Sequence, residues 1–183
     1  MREMVTDSVD DKIWEAFERL LMDNNQQFSD IRVGQICKVA DIHRSTFYRH
    51  FENKYQLLEY GLKKLWQDYF DLSKKARVYE PFQTAESFYT KSKGKKLINK
   101  HLSDDNFIEV VDHFFLEQMK SAVLDVLPQD TDLPKELIAL FTVTNIQVVE
   151  EWQKQEKLSL TAKELDDYYK QLVMKSLSFD LEQ

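Results

Sequence analysis

Apolar residues along the chain fall mostly at helical spacing. From Asp7 to Asn24, Ile13, Trp14, Ala16, Phe17, Leu20 and Leu21 share one face of a helix, and Thr6 to Ser8 supply candidate N-caps. The polar cluster Asp23-Asn24-Asn25 ends that helix, and Phe28 is expected to plug a small core. A short helix from Arg32 to Val39 would bury Val33, Ile36, Cys37 and Ala40; a tight turn at Asp41-Ile42 then leads into a third helix, His43 to Phe51. A fourth, capped by Asn53 and running to Leu72, carries Leu57, Leu58, Leu62, Leu65, Trp66 and Tyr69 on one side. Residues 73–100 lose this periodicity, carry a lysine-rich run around Gly94, and read as a boundary. Helical pattern returns over Asn106–Leu127, breaks at Pro128-Gln129-Asp130, restarts at Pro134, and continues through two helices at about 134–156 and 162–179.

Composition turns this pattern into a fold class. With three Gly, three Pro, 43% hydrophobic and 31% charged residues, the chain has little material for turn-rich β structure. An all-α protein follows, in which an N-terminal three-helix helix-turn-helix domain (1–72, motif about 32–51) is joined through a fourth helix to a C-terminal helical domain (73–183). One cysteine, Cys37, excludes an internal disulfide and a cysteine zinc site, which fits a reducing compartment. No apolar run approaches the roughly 18 residues that cross a bilayer, and the first residues lack the apolar segment of a signal peptide. A soluble cytoplasmic protein with no membrane contact, no cofactor and no metal is expected.

The net charge of −7 conceals a local excess. Residues 32–64 carry 7 basic and 3 acidic side chains, whereas 1–31 carry 3 and 8 and 65–183 carry 15 and 21. A basic segment within an acidic chain is the footprint of phosphate binding, because neutralised phosphates release condensed counterions. At 100° per residue on the third helix, Phe47 and Phe51 share one face, with Ile42 closing the core beneath them. Ser45, Tyr48 and Arg49 project from the other side, flanked by Arg44. Guanidinium groups can fork onto guanine edges or phosphates, and hydroxyls bond phosphate oxygens. Lys54 opposes the macrodipole of the helix it opens; it is either an ordinary solvated lysine or a partner of that helix end in binding a phosphate.

Taken together, Val33, Ile36, Ala40, Thr46, Phe47, Tyr48, His50, Phe51, Lys54 and Leu57 stand in register with the N-terminal motif of the TetR family of bacterial transcriptional regulators, which residues 8–66 resemble. Three positions depart from the family pattern: Arg32 stands where a capping Thr is usual, Asp41 where the turn has Gly, and His43 where a Ser caps the recognition helix. Asp tolerates a left-handed turn, and Asp30 is an alternative cap for the second helix. Arg32 and His43 are expected to alter phosphate contacts. The resemblance implies phosphate contacts from Thr46, Tyr48, His50 and Lys54, and base or mixed contacts from Gln35, His43, Arg44, Ser45 and Arg49. For His43 and His50 a packing role stands as an equal alternative.

The resemblance also implies that the second half binds an effector and dimerises through its last two helices, giving a ligand-responsive repressor that binds double-stranded operator DNA as a homodimer. An activator or adaptor answering to a partner protein is the alternative. Residues 137–152 are apolar almost all round, which suits a helix packed both on its own domain and on a second subunit. Ile138, Phe141, Ile146, Val149, Leu165, Tyr169 and Leu172 are the expected dimer contacts. Phe88, Phe107, His113, Phe114 and Trp152 are the expected lining of an effector pocket, with Phe82, Tyr89 and Phe115 as weaker candidates. His101, Asp104, Asp105 and His113 lack the spacing of a metal site and read as a solvated loop. An enzyme is disfavoured, since no glycine-rich phosphate loop, nucleophile elbow or metal-binding helix motif is present.

Overall fold

The computed structural model describes residues 8–89 and 92–175, among which every regular element is helical and no strand occurs. The order is α1 (Val9–Met22), a 3₁₀ turn (Phe28–Asp30), α2 (Val33–Ala40), α3 (Arg44–His50), α4 (Lys54–Leu65), α5 (Gln67–Phe70), α6 (Lys74–Tyr79), α7 (Pro81–Tyr89), α8 (Lys93–Lys100), α9 (Asp105–Val126), α10 (Lys135–Gln155), α11 (Ala162–Tyr169) and a π turn (Lys170–Met174). Thr6, Lys91, the side chain of Tyr89 and the expected helix beyond 175 lie outside the described residues. Contacts divide the chain into Met1–Trp66 with Ser92–Phe114, and Gln67–Lys91 with Phe115–Gln183. The expected single boundary after residue 72 is therefore not where the contacts divide. Residues 73–100, expected to be an aperiodic connection, form three short helices shared between the two units.

In the first unit Ser8 caps α1 by accepting from Asp11 N, and Asn53 Oδ1 caps α4 by accepting from Tyr55 N and Gln56 N, both at 2.9 Å. The buried faces of these helices, Ile13, Trp14, Phe17 and Leu21 against Leu57, Leu58 and Leu62, form the core with Phe28, Phe47 and Phe107. Each such side chain contributes about 1.5–3 kcal/mol on burial. Close approach sets the packing at two glycines: a Cβ on Gly61 would stand 1.9 Å from the Trp14 ring, and one on Gly94 would stand 2.1 Å from the Trp66 ring. Trp66 also corrects the fourth helix, expected to continue to Leu72. Its backbone leaves helical geometry (φ −109°, ψ 13°) while its indole is fully buried, so the helix ends at Leu65 and a separate turn follows.

The connection between α1 and α2 is held by the α8–α9 corner. Lys100 Nζ donates to Leu21 O and Gln26 O at 2.6 and 2.9 Å, and the His101 ring donates from Nε2 to Leu21 O at 2.9 Å. Asp104 accepts from Ser29 N and Ser29 Oγ, both at 2.7 Å. A cation and an imidazole N–H on the last carbonyls of α1 satisfy groups that a helix leaves open and complement its macrodipole. His101 and Asp104 are thus buried anchors rather than members of a solvated loop.

The second unit packs α5–α7, the C-terminal part of α9, α10 and α11 around Val78, Met119, Val123, Ile138, Ala139, Val143, Val149, Leu165, Tyr169 and Val173. Thr161 and Glu164 form a reciprocal capping box that starts α11. The fully buried carboxylate of Asp166 accepts from Phe82 N, Gln83 N and Gln83 Nε2 at 3.0, 3.1 and 2.9 Å, so α11 caps the first turn of α7.

Candidate functional site

The helix-turn-helix is built by α2 and α3. Asp41 ends α2 in the left-handed region (φ 51°, ψ 58°), which its short polar side chain tolerates better than most, so the chain turns at once into α3 without glycine. Gln35 Oε1 accepts from Arg32 N at 2.7 Å and closes the start of α2. Asp30 belongs to the preceding 3₁₀ turn and does not take the capping role expected as an alternative. His43 stands at the N-cap of α3 and makes no capping bond. Phe47 is fully buried and Phe51, just past the end of α3 in extended backbone, is buried beside it with ring centroids 6.0 Å apart.

Around that anchor α3 exposes Arg44, Ser45, Tyr48 and Arg49, with Thr46 half-buried. Tyr48 is 56% exposed yet stands edge-on to Phe47, at 5.4 Å between centroids, which orients its hydroxyl outward at little entropic cost. The guanidinium of Arg44 lies over Gly34 of α2, the far end of a flexible side chain with room to swing out. Arg32 and His43 are exposed beside this group, and Gln35 is half-buried with its oxygen committed locally.

Two expected phosphate contacts have other partners. Lys54 Nζ donates to Phe28 O, Ser29 O and Ile31 O at 2.7, 3.1 and 2.9 Å and sits 4.4 Å from the centre of the Phe28 ring. All three of its N–H groups are used, and burial holds its pKa below the usual lysine range against the nearby carboxylates of Asp104 and Asp30. It is a clamp on the 3₁₀ turn rather than a free cation. His50 pairs through Nδ1 with Asp10 Oδ1 at 2.6 Å and ties α3 to α1, the packing alternative. Asp11, next to Asp10, is held at about 2 by hydrogen bonds from Lys64 and Tyr60, and burial and that carboxylate push Tyr60 up to about 12. Burial raises the Cys37 thiol, which makes it a poor nucleophile.

No protein-family model and no curated protein matches the sequence. Among solved structures, a TetR transcriptional regulator from Streptococcus agalactiae 2603V superposes with a TM-score of 0.51 at 21% identity, over 90% of this chain and 93% of that one. The chain has the fold of a TetR transcriptional regulator. A structure described as the dihydroxyacetone kinase operon activator DhaS matches over 93% of this chain and 96% of its own at 19% identity, with a TM-score of 0.49.

Within this TetR fold the second half departs from several expectations. Of the expected dimer contacts, Ile138, Val149, Leu165 and Tyr169 are buried in their own unit, because a helix apolar almost all round turns its more crowded face inward. Ile146 is half-buried against the same core, while Phe141 and Leu172 are exposed. The exposed apolar surface of α10 and the segment from α11 into the π turn consists of Leu137, Leu140, Phe141, Val148, Trp152, Tyr168 and Leu172. The expected pocket residues do not share one environment. Phe107 packs on Phe28 and His101 in the core of the first unit, His113 is exposed, Phe88 packs on Tyr69, and Trp152 pairs edge-on with Tyr168 at the surface. Phe114 is buried.

Arg77, which sequence reasoning read as part of a lysine-rich connection, is 3% exposed. Its Nη2 donates to Phe70 O at 3.3 Å, its Nε has no partner, and its guanidinium carbon lies 5.7 and 5.6 Å from the ring centres of Tyr69 and Phe70. Cation–π attraction supplies up to about 2 kcal/mol in a desolvated setting. Removing the charge from water costs several kcal/mol. The balance is unfavourable, and burial accordingly depresses the Arg77 pKa.

Proposed function

We propose that this protein is a sequence-specific DNA-binding transcription regulator, acting as a homodimeric repressor on a pseudo-palindromic operator and released by a small-molecule effector bound in its second unit. The observation that carries the reading is α3: it buries Phe47 and presents Arg44, Ser45, Tyr48 and Arg49 to solvent immediately after a tight left-handed turn. That is the geometry by which a recognition helix enters a major groove, with base contacts from its guanidinium groups and phosphate contacts from its hydroxyls. The locally basic charge of residues 32–64 supports the same reading. The exposed apolar residues of α10 and α11 support association with a second copy, since a patch of that kind is uncommon on a monomer. Two identical readers about 34–36 Å apart would then require a symmetric site.

Selection from random DNA followed by gel shifts tests this. A pseudo-palindrome is the expected product. Arg49→Ala or Arg44→Ala should cost about 1–3 kcal/mol and relax preference at one position per half-site if the side chain reads a base. Tyr48→Phe should weaken all sequences alike and leave the salt slope unchanged, because the neutral hydroxyl releases no counterion. Failure to enrich any sequence sinks the assignment.

A further inference from the structure

We propose that Arg77 anchors the carboxylate of an apolar organic acid, and that this is the class of effector the second unit takes. The inference rests on reading that unit as the regulatory one. Among the described residues of the second unit, Arg77 is the buried cation that no carboxylate neutralises. The buried acid of that unit, Asp166, is committed to three N–H donors at the start of α7 and faces no cation. Thr84, also buried, donates its hydroxyl to Ala76 O and carries no charge to set against the guanidinium. One guanidinium edge with an unpartnered Nε calls for an anion from outside the chain, and a planar monoanion matches the fork. A dianion would leave surplus negative charge in a covered place.

The surroundings fix the rest of the ligand. Tyr69 and Phe70 flank the guanidinium, and Phe88 and Phe115 stand behind them at centroid distances of 5.6 and 6.0 Å. A charge ringed by aromatic faces pairs only with an anion that sheds its water, which favours a carboxylate on an alkyl or aryl body over acetate or a sugar acid.

The test uses the full chain, with octanoate and benzoate as probes and octanamide and benzamide as neutral matches. Thermal unfolding is followed for wild type, Arg77→Met and Arg77→Lys. At about tenfold excess over Kd a carboxylate should raise the wild-type melting temperature by about 3–6 °C, and the amides should not. Arg77→Met should melt at or above the wild type without ligand and show no carboxylate response; Arg77→Lys should retain part of it. The proposal is overturned if neither carboxylate stabilises the wild type, if they stabilise Arg77→Met equally, or if Arg77→Met melts lower while no carboxylate acts on the wild type, the mark of a structural cation. A gel shift separates this from the DNA reading: Arg77→Met that binds DNA normally without a carboxylate response in the wild type removes the effector class alone, whereas wild type that selects no DNA removes the regulator reading whatever the melting curves show.

Discussion

The two units differ in where their inward-turned charged side chains find partners. In the first, long polar side chains are turned inward onto backbone: Lys54 on three carbonyls of the 3₁₀ turn, Lys100 and His101 on the end of α1, Asp104 on Ser29. What it shows to solvent along α3 is a set of donors. Both units keep buried polar atoms without partners, Gln26 Oε1 and His101 Nδ1 in the first and Arg77 Nε, Thr142 Oγ1, Gln153 Oε1 and Tyr169 Oη in the second, but the one on a charged group is in the second, whose last two helices also expose apolar residues. A buried polar atom without a partner costs about 1–3 kcal/mol. The first unit thus sets its inward-turned cations on its own carbonyls, whereas Arg77 in the second keeps one N–H unspent.

The largest expected effect breaks the first unit. Gly61→Ala drives a methyl into the Trp14 ring, wedged between two helices with no flexible end to yield, and should cost about 3 kcal/mol or more. Hydrogen exchange should show protection lost from Val9–Met22 and Lys54–Leu65; protection kept there would refute the close packing. Next comes the apolar surface of the second unit. Leu172→Asp, on a side chain 64% exposed, should convert the proposed dimer to monomer in light scattering while changing monomer unfolding by only about 0.5 kcal/mol. Ile138→Asp, in the core, should instead unfold the unit by burying a charge. Equal behaviour of the two would erase the distinction between core and interface.

Acid should act on the first unit in two windows. The His101 pKa is depressed by burial from its ordinary 6.5, so the unfolded chain takes the proton first; this stabilisation is complete above 6.5 and declines as pH falls below it. Asp11 is lowered from 3.8 to about 2, so its contribution is present above 3.8 and is lost as pH falls through 2. Urea midpoints between about pH 7 and pH 5 should fall for the wild type and stay flatter for His101→Gln. The smallest effect belongs to Gly34→Ala, where the methyl meets only the mobile end of Arg44 and should change stability by less than about 0.5 kcal/mol. A large loss there would mean that Arg44 is held as rigidly as Trp14.

The helix-turn-helix half was legible because strong local signals agree in it: a 3.6-residue apolar period, Asn53 as a cap, and a tight turn at Asp41. The rest hid for identifiable reasons. α6 to α8 are six to nine residues long, too short for a period to emerge, and lysines mask the single buried stripe of α8. Gly94 reads as a chain breaker in sequence, yet it lies inside a helix to admit an indole. In α10, with apolar residues on nearly every face, no pattern ranks the face turned to the core above the face left open. Lys54 was placed at the right helix end, but its partners are carbonyls some 25 residues away, and no local rule reports those.

The division of α9 between the units has a genetic consequence. Asp105–Phe114 and the whole of α8 belong with the helix-turn-helix, and Phe115–Val126 belongs with the second unit. A fragment ending near residue 66 or 72 would lose the side chains that close α1 and bury Trp66, and would also lose Asp104 from Ser29. The unit that holds the helix-turn-helix is thus discontinuous in the gene. Exchanging this unit between relatives by recombination would require two joins, one before Gln67 and one within α9, and a coding sequence truncated near residue 66 would yield an unstable unit.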